Sequence, residues 1–129
     1  MQKCLFLALC LISASSAFAQ SGNDVIKGET LRKMLSGTTI FINTPFGELP
    51  VRYSGNGTMT SSSPSQLAAM AGEPTNSDTG QWWISGNRLC QRWQVWVQKK
   101  SYCFEMRGDE NSVTWRRNDG KSGTARIGS

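Results

Sequence analysis

The chain has 129 residues, 38% of them hydrophobic, and carries 14 Lys and Arg against 9 Asp and Glu, a net charge of +5. It contains no histidine, so a Ser-His-Asp or Cys-His catalytic arrangement is impossible and a zinc site would be short of its usual ligands. The length allows one domain with its own core and not two.

The N-terminus reads MQKCLFLALCLISASSAFAQ, in which Lys3 precedes an apolar run from Leu5 to Ile12. Ala17-Phe18-Ala19 then supplies small residues at the −3 and −1 positions of a cut before Gln20. These features predict a secretory signal peptide over residues 1–19 and a single domain over residues 20–129. The apolar run is shorter than the roughly 20 residues that a membrane-spanning helix needs, so no integral membrane segment is expected after cleavage. Cys10 stands where a lipid could be attached, but Leu9 before it is larger than such sites usually take.

Residues 24–35, DVIKGETLRKML, place apolar side chains near helical spacing, with Asp24 as a candidate N-cap and Gly37 as a stop. The expected short helix packs through Leu31, Met34 and Leu35. Over residues 38–60 the period changes. TTIFIN and ELPVRYS predict two strands, bounded by Asn43-Thr44-Pro45 and Ser54-Gly55-Asn56-Gly57. Residues 61–80 hold SSSP, GEP and TNSDTG around QLAAMA, which reads as a connection with one helical turn lying across or beside a sheet.

From Gly80 the chain reads as an antiparallel meander of QWWIS, RLCQRWQVWV, SYCFEMR, SVTWRR and SGTARI. Turn residues separate the runs, and the spacing is that of a small barrel or sandwich. The expected fold is therefore mainly β, an antiparallel barrel or sandwich of about 7–8 strands with a short N-terminal helix. Alternation sets Leu89, Trp93, Val95 and Val97 on one face of their strand, and Tyr102, Phe104 and Met106 on one face of theirs. Cys90 and Cys103 fall on the opposite face. Strictly opposite pairing of the two would put a tight turn on Trp96-Val97, a poor turn sequence, so a bulge or offset is expected in this hairpin.

Export decides how the cysteines are read. In an oxidising compartment two thiols on a small domain pair, and their spacing is not that of a Cys-x-x-Cys redox site. A Cys90–Cys103 disulfide spanning this interval would contribute roughly 3 kcal/mol. The pair is a brace.

Charge is uneven. Residues 20–87 carry four basic and five acidic side chains, whereas residues 88–129 carry nine and four. The basic half also holds Trp93, Trp96 and Trp115, of which Trp96 shares the cysteine face in the predicted strand. A basic, aromatic surface suits polyanions and sugar rings, while tryptophans in a small β-domain equally serve as core. Carboxylates available for acid-base work are Asp78, Glu105, Asp109, Glu110 and Asp119, three of them in predicted turns. Arg107-Gly108-Asp109 matches an integrin-binding tripeptide and Asn56-Gly57-Thr58 a glycosylation acceptor, yet both sit where turns are needed.

The stretch DTGQWWISGNRLCQRWQVW, then SYCF, then VTWRRNDGKSGTARI resembles small exported alphaproteobacterial proteins of the DUF995 type. The resemblance rests on Leu-Cys-x-x-Trp and a second Cys, and covers about the C-terminal half. It implies a periplasmic or secreted protein with a disulfide-braced β-fold and no assigned activity. The expected function is that of an exported, non-catalytic binding protein of the bacterial envelope. Arg92, Trp96, Arg116 and Arg117 would hold a glycan or other anionic envelope component. The alternative is a protein-binding inhibitor or accessory factor of a secreted hydrolase. No cofactor, metal or nucleic-acid partner is expected.

Overall fold

The computed structural model describes residues 24–109 and 111–128. The expected signal peptide with Cys10 lies outside the described residues, as does Glu110. Helix α1 (Gly28–Leu35) leads into strands β1 (Thr38–Thr44), β2 (Gly47–Tyr53) and β3 (Thr58–Ser62). Helix α2 (Ser65–Met70) follows, then β4 (Ser77–Ser85), β5 (Arg88–Trp93), β6 (Ser101–Gly108), β7 (Val113–Arg117) and β8 (Ser122–Gly128). Each strand pairs antiparallel with the next, and β8 returns to pair with β1, closing an eight-stranded barrel. Of the two architectures allowed by the sequence, the barrel is the one formed. Closure leaves no strand edge unpaired.

The helix is shorter than its apolar spacing implied. Val25 forms an antiparallel bridge with Arg107, and the Ile26 amide donates to the Met106 carbonyl at 2.8 Å, so residues 25 and 26 run alongside β6 instead of opening α1. Lys27, not Asp24, stands at the N-cap. Gly28 starts the helix because its Cα lies against the β4–β5 turn. A Cβ there would run into the Gly86 carbonyl, and the Gly28 amide donates to Asn87 Oδ1 at 2.9 Å. Leu31 and Leu35 are fully buried against the barrel, and Met34 packs beside them.

Strand β3 has no counterpart among the predicted elements. Its sequence, TMTSS, is polar, and only Met59 is apolar, yet β2 and β4 supply its ladder partners on both sides. Strand β5 corrects the reading in the other direction. It ends at Trp93, and residues 94–100 form a loop, so the expected run to Val97 is not one strand. Cys90 and Cys103 are therefore directly opposite, with no bulge or offset between them. Their sulfurs are bonded at 2.00 Å on the outer face of the barrel.

Among the described residues, no helix is long and apolar enough to cross a membrane.

Candidate functional site

In a meander barrel, successive connections alternate between the two ends. The β2–β3, β4–β5 and β6–β7 turns share one end with α1. The β1–β2 turn, the α2 segment, loop 94–100 and the β7–β8 turn crown the other. An eight-stranded barrel is just wide enough for side chains to fill or for one small ligand. This barrel does both. At the α1 end Val51, Met59, Trp82 and Val113 meet Leu31 and Leu35, all at 4% exposure or less. Toward the crowned end lies a cavity of about 380 Å³.

Small side chains make the space. Thr44, Ser63, Ala68 and Ala125 line the cavity between the larger Leu49, Trp93, Phe104 and Trp115. Gly123 makes room for one of these large side chains. It faces Trp115 across β7 and β8, and a Cβ there would sit 2.6 Å from Cζ2 of the indole. The aromatic walls interlock, with Trp93 and Trp96 centroids 5.0 Å apart and Phe104 meeting Trp115 edge to face at 5.5 Å. Phe46 and Ala71, both exposed at the crowned end, also line the cavity, so this is where it reaches the surface.

The mouth is held by backbone bonds to carboxylates. Asp78 Oδ2 accepts from the Val95 and Trp96 amides at 2.8 Å, while Oδ1 accepts from the Thr79 amide. Glu73 Oε1 accepts from the Val97 amide at 3.0 Å, and Trp96 Nε1 donates to the Thr75 carbonyl at 2.9 Å. The α2–β4 connection is thereby tied to loop 94–100. Val97, Gln98 and Lys99 all have φ near +56°, a left-handed turn built from non-glycine residues. For the β-branched Val97 this is a strained conformation.

Polar groups inside are few. Tyr53, 2% exposed, donates its phenol hydrogen to Gln91 Oε1 at 2.8 Å. Burial pushes the Tyr53 phenol above its ordinary range, so it stays neutral. At the rim, Arg117 donates to Asp119 through Nε at 2.8 Å and lies 3.9 Å over the Tyr102 ring. The hydrogen bonds from Arg117 lower the Asp119 carboxyl from its ordinary value to about 2. Nε1 of Trp115 is buried with no partner among the described residues.

The four residues expected to form one anion-binding surface are divided by the barrel wall. Arg92 and Arg116 are exposed on the outer face, Arg92 opposite Gln81 and Arg116 opposite Glu105. Arg117 and Trp96 line the cavity. Trp96 does not share the cysteine face, because β5 has ended before it; it is 5% exposed. Trp82 and Trp83 point to opposite sides, and Trp83, at 39% exposure, is the tryptophan on the outside. Its cross-strand partner is Cys90.

The candidate carboxylates among the described residues each have a local partner. Asp78 holds loop amides, Glu105 pairs with Arg107 at 2.7 Å, and Asp119 pairs with Arg117. Asp109 Oδ1 accepts from the Asn111 and Ser112 amides and shapes the β6–β7 turn, which accounts for the Arg-Gly-Asp sequence there. Asn56 Oδ1 accepts from Thr58 in the same manner. No group of three or more Cys, Asp or Glu among the described residues is placed to hold a metal ion.

The sequence reading missed the cavity. Its lining residues are scattered from Ile40 to Ala125, and the signal available was the small inward residue beside a large one, as at Gly123 and Trp115. No protein-family model, curated protein or solved structure matches the chain.

Proposed function

We propose that this protein is a non-catalytic binding protein that carries one small, largely apolar molecule inside its barrel. The observation that carries the reading is the cavity of about 380 Å³, walled by Ile42, Leu49, Trp93 and Phe104 and open at the α2 end. It falls within the range of about 300–1,000 Å³ usual for small-molecule sites, and barrel mouths are a common place for them. Apolar walls reward removal of apolar ligand surface from water. A glycan or polyanion has little to gain there, and Arg117 is already engaged by Asp119. The cavity therefore favours an apolar body over the glycan or anionic envelope component expected from the basic, aromatic C-terminal half. Export to the periplasm or beyond, and kinship with the small envelope proteins that the Leu-Cys-x-x-Trp pattern resembles, belong to the same proposal. The leader-like N-terminus and the Cys90–Cys103 bond support them.

Titration with N-phenylnaphthylamine tests it, read by energy transfer from the cavity tryptophans. Saturable one-to-one binding is expected. Ala71→Trp, which puts a large ring at the exposed rim, should weaken it at least tenfold without lowering the melting temperature. Absence of saturable binding by the folded protein overturns the reading.

A second reading has its own observation. Trp83 is an exposed indole on the outer face, and its diagonal neighbours on β5 are Arg88 and Arg92, both exposed. Aromatic and arginine side chains are the residues that most often anchor protein interfaces, so this face supports the alternative of an inhibitor or accessory factor. Loss of a co-purifying protein on Trp83→Ala would favour it.

A further inference from the structure

Two side chains of the cavity wall, Gln91 and Trp115, carry N–H donors. Gln91 is 9% exposed and lines the cavity from β5. Its Oε1 accepts from the Tyr53 phenol, so Nε2 is the end of the amide left to donate elsewhere. Trp115, also on the wall, has its indole N–H buried without a partner. Both are donors. An unmet donor away from water costs free energy that a ligand acceptor would recover, and such groups are the usual source of ligand selectivity in an otherwise apolar site.

The charge of the acceptor follows from what surrounds it. Among the described residues Arg117 is the cation on the cavity wall, and Asp119 neutralises it. A carboxylate taken into the interior would therefore arrive without a counter-charge, at a large desolvation cost. An uncharged oxygen meets no such penalty. Resting on the cavity-binding reading, we infer that the ligand is an apolar molecule bearing an uncharged carbonyl oxygen, as in a ketone, ester or amide, which accepts a hydrogen bond from Gln91 Nε2. Tyr53 is the positioning residue: its bond to Oε1 turns the amide so that Nε2 is the end left to donate.

Two matched probes, pentylbenzene and valerophenone, test this by calorimetric or fluorescence titration of the wild type and Gln91→Met. The variant should weaken valerophenone about tenfold, the equivalent of one hydrogen bond, while pentylbenzene binds as well or better. Because the readout is the ratio between two ligands, a general loss of stability does not mimic it. A second measurement needs no variant: the infrared carbonyl band of bound, carbon-13-labelled valerophenone should lie below its position in an alkane solvent. An equal effect of Gln91→Met on both probes, or an alkane-like carbonyl band, overturns the inference while cavity binding stands. If neither probe nor N-phenylnaphthylamine binds the folded protein, the cavity reading fails and this one with it.

Discussion

Tyr53 on β2 and Gln91 on β5 are joined across the barrel interior by a 2.8 Å hydrogen bond from phenol to side-chain carbonyl. The two strands are not neighbours in the sheet, so the bond spans the space between walls. Tyr53→Phe leaves the Gln91 oxygen buried without its donor and should cost about 1–3 kcal/mol in denaturant unfolding. The pH dependence has a definite sign. Burial raises the folded-state pKa of the phenol above its unfolded value near 10, so this contribution is complete below about pH 10 and is lost as pH rises beyond it. Melting curves of the wild type should fall more steeply than those of Tyr53→Phe above that point.

Asp78 was a candidate for acid-base chemistry and instead holds the Thr79, Val95 and Trp96 amides. Asp78→Ala strips three backbone donors of their acceptor, two of them beside a buried tryptophan. A loss of about 2–3 kcal/mol is expected, with a red shift of tryptophan emission as Trp96 meets water. Asp78→Asn should recover part of it.

The left-handed turn at Val97–Lys99 predicts a substitution that stabilises. Gln98 is exposed with φ near +56°, where any side chain is penalised and glycine is not. Gln98→Gly should gain about 1 kcal/mol, visible as a rise of a few degrees in melting temperature. A fall would mean that the Gln98 side chain contributes more than its backbone costs.

Gly123 predicts the opposite. A methyl group 2.6 Å from the Trp115 ring must displace the indole into the cavity. Gly123→Ala should destabilise by about 1–3 kcal/mol and change the near-ultraviolet dichroism. It should also reduce the capacity of the cavity for N-phenylnaphthylamine.

What the sequence determined by itself was whatever depends on local period and turn chemistry. The alternation in SYCFEMR and SVTWRR, the turns at Gly86-Asn87 and Asn118-Asp119-Gly120, and the outward placement of both cysteines were all legible. So were the packing of Leu31 and Leu35 and a fold class of barrel or sandwich. Strand β3 was not, because TMTSS lacks apolar alternation and is a strand only through the ladders on its two sides. The end of β5 was equally hidden, since Val95 and Val97 continue an apolar pattern that loop bonds to Asp78 and Glu73 interrupt. Closure of the barrel settled the rest. It turned alternate residues from eight strands toward one interior, joining Tyr53 to Gln91 and separating Arg92 from Arg117, and no local signal in a chain records which distant residues a closed sheet will bring face to face.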